Sequence, residues 1–352
     1  MHIRSLLPAI LVLVISACGG DPAPSTPATP SGPVDSLALA IKAIEQRMVQ
    51  DPGNASLYAE RATLHERADS LKLAINDLLR AVALDSLNTG YRNRLGGLYY
   101  TTVQVDKATT AFEEVVRIDP ANTEALLKLA EIKLVLRDHP GSIELVNKAL
   151  RIDPDLAKGY YLKGFVYMET GDTATAISSF RTAVERDPRD YNSYMQLGLL
   201  SAGRKDPLAL DYFNTAIELR PRSMEALYGK AMYLQEVGED SAALETYARM
   251  VDIDSTNAVA YHNSGFVRME YLRDLEGAKR DLGKAIAMNP NYQQAWYNRG
   301  VAMERSDQLD SAAANYQMAL MIDPGYHDAA VALDRLARKG VRIKTRERKK
   351  TP

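Results

Sequence analysis

Between residues 55 and 326, apolar positions recur in paired runs of helical period, separated by polar stops at a near-constant interval. The stops are Asp51-Pro52, Asp119-Pro120, Asp153-Pro154, Asp187-Pro188 and Asp323-Pro324. Arg220-Pro221 and Asn289-Pro290 fill two further slots, and Asp85-Ser86 and Asp254-Ser255 fill two more without proline. Where unbroken, the interval is 34 residues or a multiple of it. Self-similarity at such a period means one supersecondary unit used repeatedly, and this overrides a domain count based on length. Two apolar runs per interval predict two helices per unit. The proline ends the second helix, because it lacks an N–H and cannot continue the ladder.

Small residues mark where those helices approach one another. One site is Ala62, Gly96, Ala130, Gly164, Gly198, Ala231, Gly265 and Gly300; a second is Ala74, Ala108, Ser142, Ala176, Ala209, Ala243, Ala278 and Ala312. A third includes Ala81, Ala149, Ala183, Ala216, Ala285 and Ala319. Small side chains let helix backbones approach to the short end of the usual range of about 8–10 Å. Larger residues fill the space beside them: Tyr58, Leu126, Tyr160, Tyr194, Leu227, Tyr261 and Trp296. The register gives eight full repeats, near 55–88, 89–122, 123–156, 157–190, 191–223, 224–257, 258–292 and 293–326. The fifth is one residue short and the seventh one residue long, and both changes are expected at the turn between the two helices. Pro140 and Pro207 each precede the second small site by two residues, which is the first turn of the second helix, where proline is tolerated. Residues 36–50 match a second helix only and predict an N-terminal half repeat. Residues 327–338 match a first helix with a more charged outer face, as a terminal cap requires.

This pattern resembles the tetratricopeptide repeat family, whose units carry a large residue followed by a small one in the first helix, two further small sites in the second, and a closing proline. The clearest copies are EALLKLAEIKLVL running on to Asp153-Pro154, and QAWYNRGVAMERSDQLDSAAANYQMALMIDP. The resemblance covers roughly residues 55–326. It implies an all-α fold: a right-handed superhelical solenoid of antiparallel helix pairs over residues 36–338, with a concave groove lined by one face of each first helix.

The ends of the chain differ in kind from the middle. Arg4 begins a short positive region, Leu6 to Ile15 is apolar, and Ile15-Ser16-Ala17-Cys18 resembles the bacterial lipobox. Residues 1–17 are therefore expected to be a lipoprotein signal peptide, with Cys18 lipidated after cleavage. The plainer reading is a secretory signal with an incidental cysteine. Residues 18–35, rich in Pro, Ser, Thr and Gly, read as an extended tether from that anchor. These features place the chain at the bacterial cell envelope, held to a membrane by its N-terminal lipid. Gly19 after the cysteine, in place of aspartate, leans towards the outer membrane. At the other end, residues 339–352 form a basic tail, either a solvated end or a contact for anionic headgroups or another acidic surface.

Composition narrows the function classes. A formal net charge of −2 argues against a general nucleic-acid binder. Cys18 is the single cysteine, and His65, His139, His262 and His327 fall in different repeats, so neither a metal site nor a cofactor is expected. Phosphate-binding glycine loops, metalloprotease and nucleophile-elbow motifs are missing, and residues 252–263 lack the glycine and terminal glutamate of a calcium loop. The chain does not read as an enzyme.

The resemblance supplies candidates for the groove. They are Tyr161, Phe165, Met168, Met195, Leu199, Tyr228, Met232, His262, Phe266 and Tyr297, an aromatic and methionine stripe across repeats four to eight. Asn263 and Asn298 stand where relatives use asparagine to hold an extended peptide backbone. Such residues suit binding surfaces, but the same side chains also suit packing between neighbouring first helices. The lysine and asparagine set that grips a C-terminal carboxylate in chaperone-binding relatives is not reproduced, since Ala59, Asn93, Leu127 and Tyr161 occupy its positions. The expected function is a membrane-anchored scaffold holding other proteins or peptides. The competing reading is a glycan, cell-wall fragment or small-ligand binder using the same groove.

Overall fold

The computed structural model describes residues 33–343, with side chains from residue 36. The leader, Cys18, the tether up to residue 32 and the tail from residue 344 lie outside the described residues. The described residues divide into two compact units, which meet between residues 91 and 92 of the chain. In the described part of the first, α1 (Pro33–Gln50) packs on α2 (Ala55–Arg67), and α2 pairs with α3 (Leu71–Leu84). The half repeat is thus one helix, but it begins at Pro33, so the last residues assigned to the tether belong to it. Proline suits that place because its missing N–H is one of the first-turn donors that has no helical acceptor anyway. A bidentate pair crosses the first hairpin: Arg61 donates to Asp77 from Nη2 at 2.6 Å and from Nε at 2.9 Å, and Asp77 raises the pKa of the guanidinium.

The second unit is a row of hairpins. Their first and second helices are α4 (Thr89–Thr101) and α5 (Val105–Ile118), α6 (Thr123–Val135) and α7 (His139–Ile152), α8 (Ala157–Glu169) and α9 (Thr173–Arg186). There follow α10 (Tyr191–Gly203) and α11 (Leu208–Leu219), α12 (Met224–Glu236) and α13 (Asp240–Ile253), α14 (Ala258–Glu270) and α15 (Leu275–Met288), α16 (Gln293–Arg305) and α17 (Leu309–Ile322). A single helix, α18 (His327–Arg338), closes the row against α17. Each second helix packs on the next first helix, and first helices also meet directly, α6 with α8, α10 with α12 and α14 with α16. All elements among the described residues are helices, and none is long and apolar enough to cross a membrane.

The recurring Asp-Pro has a local cause. The aspartate takes an extended conformation as the C-cap, which the following proline favours. Its side chain then accepts the backbone N–H two residues on: Asp119 from Ala121 at 3.0 Å, Asp153 from Asp155 at 2.9 Å, Asp187 from Arg189 at 2.9 Å. The Arg220 side chain cannot accept a hydrogen bond, and its guanidinium instead lies 4.0 Å from the ring centroid of Tyr191.

Inside the hairpins, the small sites are set by aromatic rings. A Cβ at Gly164 would fall 2.6 Å from Phe180, one at Gly198 2.7 Å from Phe213, and one at Gly300 2.6 Å from Tyr316. Phe180, Phe213 and Tyr316 are themselves fully buried. Glycine in the first helix and an aromatic ring in the second are therefore one packing unit.

The two length changes sit in different places. The turn from first to second helix always contains one left-handed residue: Val103, Arg137, Gly171, Lys205, Gly238, Arg273 or Asp307 in the second unit, and Asp69 in the first. In the seventh repeat the extra residue precedes Arg273, within the turn, as expected. In the fifth, the turn through Lys205 has its usual length, and the missing residue comes out of the first turn of α11. There Ala209 N–H donates to Asp206 O, three residues back, whereas the equivalent Ala176 N–H reaches four back to Asp172 O. Val103 is a β-branched residue at φ 59° with an exposed side chain, so it carries strain that packing does not offset. Val103→Gly should raise stability by about 0.5–1 kcal/mol, seen as a higher denaturant midpoint for the second hairpin.

The C-terminal end is held by Glu304. Its carboxylate accepts from Arg335 at 2.7 and 3.0 Å and from the Tyr316 hydroxyl at 2.9 Å, with Lys339 at 3.5 Å, and these donors hold its pKa below the usual range. Val341 and Ile343 pack on the final apolar cluster, so the packed chain continues past the cap into what the sequence suggests is a solvated tail.

Candidate binding face on the first helices

The groove candidates lie at different depths. Leu199, Tyr228 and Met232 are exposed, at 45%, 39% and 39%. Tyr161, Phe165, Met168, His262, Asn263, Phe266, Tyr297 and Asn298 are half-buried, each with part of its side chain committed to a neighbour. Met195 is a correction. It is 2% exposed and belongs to the core cluster around Phe213 and Tyr247, so it supports the face from beneath instead of forming part of it.

The candidates form local groups, one or two repeats wide. Tyr161 and Phe165 meet edge-on at 4.8 Å, and both rest on buried Phe180, at 5.9 and 5.5 Å. Met168 packs on the same cluster. Burial pushes the Tyr161 hydroxyl far above the ordinary phenol pKa, assisted by the charges of Asp190, Glu131 and Glu225. Phe266 meets Tyr271 at 6.1 Å. Tyr297 sits between Tyr316 at 5.6 Å and Tyr326 at 5.3 Å. Met232 Sδ accepts the Tyr247 hydroxyl at 3.3 Å. Tyr100, beside Glu131, is pushed up to about 12 by burial and by that carboxylate.

Asn263 and Asn298 hold an imidazole. Asn298 Nδ2 lies 2.9 Å from His262 Nε2, and Asn263 Oδ1 lies 3.0 Å from His262 Nδ1. An amide nitrogen only donates and an amide oxygen only accepts, so the neutral ring carries its proton on Nδ1. The ring also stacks near Tyr292, at 4.7 Å. Burial lowers the His262 pKa, and protonation would set an N–H against the Asn298 amide donor. The stabilising contribution of the neutral ring is therefore complete above the ordinary imidazole value of about 6.5 and is lost as pH falls through the lowered folded value. Wild-type protein should lose more thermal stability between about pH 7.5 and 5.5 than His262→Gln, which has no imidazole to protonate. Equal losses would contradict this.

Sequence reasoning missed Tyr191, Tyr271, Tyr292 and Tyr326. Tyr292 and Tyr326 both stand immediately before a first helix, 34 residues apart, so the repeat register contained a signal for them. Tyr271 and Leu272, exposed at 50% and 43%, stand in the turn lengthened by the extra residue of the seventh repeat. Among the described residues, no group of three His, Cys, Asp or Glu side chains is placed to hold a metal ion.

Stacked hairpins presenting a partly exposed apolar face define a protein–protein interaction scaffold of the helical solenoid class. Profiles of the tetratricopeptide repeat match residues 93–157, 207–258 and 270–327, and a further tetratricopeptide profile matches 157–190, together more than half of the chain. The chain belongs to the tetratricopeptide repeat family. It is 26% identical over 293 residues to human tetratricopeptide repeat protein 6, covering 81% of this chain and 56% of that one. It is 23% identical over 212 residues to anaphase-promoting complex subunit 3 of Schizosaccharomyces pombe, covering 60% of this chain and 32% of that one. The chain thus spans about half or less of the length of these relatives. Among solved structures it resembles the C-terminal part of a tetratricopeptide repeat protein from Cytophaga hutchinsonii, with a TM-score of 0.60 at 16% identity, over 68% of this chain and 98% of that one. That likeness shows the fold.

Proposed function

We propose that this chain is a membrane-tethered scaffold of the bacterial cell envelope that holds partner proteins on its first-helix face, with the outer membrane as its location. The observation that carries the binding reading is the exposure of Leu199, Tyr228 and Met232 on α10 and α12. Full burial of such a side chain contributes about 1.5–3 kcal/mol, so covering the exposed part of each on a partner adds about 1 kcal/mol. Tyrosine and methionine supply large contact area that tolerates imperfect fit. The anchoring reading rests on the apolar leader and the Ile15-Ser16-Ala17-Cys18 stretch.

Leu199→Ser/Tyr228→Ser/Met232→Ser tests the face, because all three side chains reach the surface; Met232→Leu serves as the control for the contact that Met232 makes with Tyr247. Partners captured from envelope extract by the wild-type chain should be lost by the triple variant, at a temperature where it remains folded, and kept by Met232→Leu. Cys18→Ser tests the tether and should release the protein from membrane fractions; continued pelleting would refute the anchor.

A further inference from the structure

We infer that the first-helix face of repeats two to six receives a basic, extended segment of a partner protein, whose ammonium or guanidinium groups meet the carboxylates of Glu124, Asp190 and Glu225. This rests on the reading of that face as the binding surface and adds the chemistry of what it holds.

The carboxylates of this face fall into two sets. One set is neutralised within the chain: Glu131 lies 2.8 Å from Lys158 and 3.4 Å from Lys128, Glu270 lies 2.7 Å from Arg305, and Glu304 lies 2.7 Å from Arg335. The other set has no ion-pair partner among the described residues. Glu124 accepts a hydrogen bond only from Asn93 Nδ2, at 3.2 Å. Asp190 accepts from the Ser193 hydroxyl and the Asn192 backbone N–H, which its role as N-cap of α10 requires. Glu225 accepts from the Tyr191 hydroxyl at 3.4 Å. Arg220, on the same side as Glu225, has its guanidinium over the Tyr191 ring. Glu124 and Glu225 are exposed, in the first turns of α6 and α12.

Two independent observations say that donors are missing here. Asn93 is 8% exposed, and its Nδ2 donates to Asn122 Oδ1 and Glu124 Oε2, both at 3.2 Å. Turning the amide over would set its oxygen against two acceptors, so the orientation is fixed. Its Oδ1 is then a buried acceptor without a donor. A cationic donor arriving beside Glu124 as a partner seats would neutralise the carboxylate that now holds this amide. The second observation is Tyr161: Glu131 of the preceding repeat, Asp190 at the end of its own and Glu225 of the sixth all push its hydroxyl in the same direction as burial, and Asp190 and Glu225 have no ion-pair partner among the described residues. A cationic side chain laid over Tyr161 gains from both carboxylates and rests its aliphatic stem on the Tyr161–Phe165 pair. An acidic or phosphorylated segment would meet like charge at Glu124 and Asp190, while Arg220 and Arg222 stand beside Glu225.

Fluorescence anisotropy on the full chain tests this with three labelled ten-residue peptides that alternate leucine with lysine, with serine or with glutamate. The lysine peptide should bind at least ten-fold more tightly than the glutamate peptide and lose affinity as salt is raised. Glu124→Gln/Glu225→Gln should weaken lysine-peptide binding by roughly ten-fold. The control Glu113→Gln/Glu185→Gln removes two exposed carboxylates from second helices and should change it by less than about two-fold. Equal binding of the three peptides, no effect of Glu124→Gln/Glu225→Gln, or an equal effect of the control would each overturn the inference. If the Leu199, Tyr228 and Met232 variant loses its partners while peptide charge makes no difference, the binding face stands and the charge assignment falls.

Discussion

Phe180→Ala is expected to destabilise the fourth hairpin by about 3–5 kcal/mol, the largest single-residue loss anticipated in the molecule. Phe180 is fully buried, supports the rings of Tyr161 and Phe165, and lies against Gly164. Truncation leaves a cavity with a glycine as one wall, and a glycine has no side chain to relax into the space. The cost therefore falls at the upper end of the large-to-small range. In a row of hairpins each unit contacts only its neighbours, so the effect stays local. Backbone amide exchange over residues 157–186 should accelerate while that over residues 293–322 is unchanged. Tyr161 and Phe165 lose their backing together, so partner binding should weaken even though neither residue is altered. A loss under about 1 kcal/mol would mean that the aromatic trio is not the core of this hairpin.

Gly198→Val is the complementary case. A Cβ there falls 2.7–3.1 Å from three atoms of the Phe213 ring. Valine is a better helix former than glycine, a gain of under about 1 kcal/mol. Overpacking a filled core costs about 1–3 kcal/mol or more, and the ring has little room to move, because it also lies against Gly229 of the next repeat, where a Cβ would fall 2.6 Å from it. The clash wins, and net destabilisation of about 2 kcal/mol is expected in urea unfolding. A double cycle separates clash from backbone effects. Gly198→Ala combined with Phe213→Leu should be less damaging than the sum of the two single changes, with a coupling above about 0.5 kcal/mol. The first hairpin already has Ala62 and Leu78 at these two positions, both fully buried. Strict additivity would show that glycine and ring are not one packing unit.

The sequence showed most of the fold, because each repeat is an independent reading of the same physics. The Asp-Pro stops, the small sites and the apolar periods agree with one another, so helix boundaries over residues 55–338 follow from register alone. The start of α1 at Pro33 was legible in principle, since proline is a known first-turn residue, but the Pro-rich composition before it hid the signal. The position of the fifth-repeat deletion was not legible. A residue removed from a turn and one removed from the first turn of a helix leave the same spacing in sequence, and only the left-handed Lys205 tells them apart.

The binding face was less legible, because helical spacing gives a direction and not a depth. Met195 and Tyr228 hold equivalent positions in adjacent repeats, yet one is buried and the other exposed. Their depth depends on the neighbouring repeat's side chains, which the pattern does not encode. The family resemblance makes Asn263 and Asn298 candidates for gripping a partner's backbone, and in the structure His262 stands between them. That arrangement needs an imidazole and two amides from adjacent repeats together, and no single-repeat motif predicts it.

The central claim is that partners are held on the first-helix face. Its most direct test places a photo-crosslinking amino acid at Tyr228 or Met232 on α12, and separately at Arg181 or Thr182 on α9, in otherwise unaltered full-length chain. Irradiation in envelope extract should yield discrete protein adducts from Tyr228 and Met232 and none from Arg181 and Thr182. Adducts formed only from the second-helix positions would contradict the account.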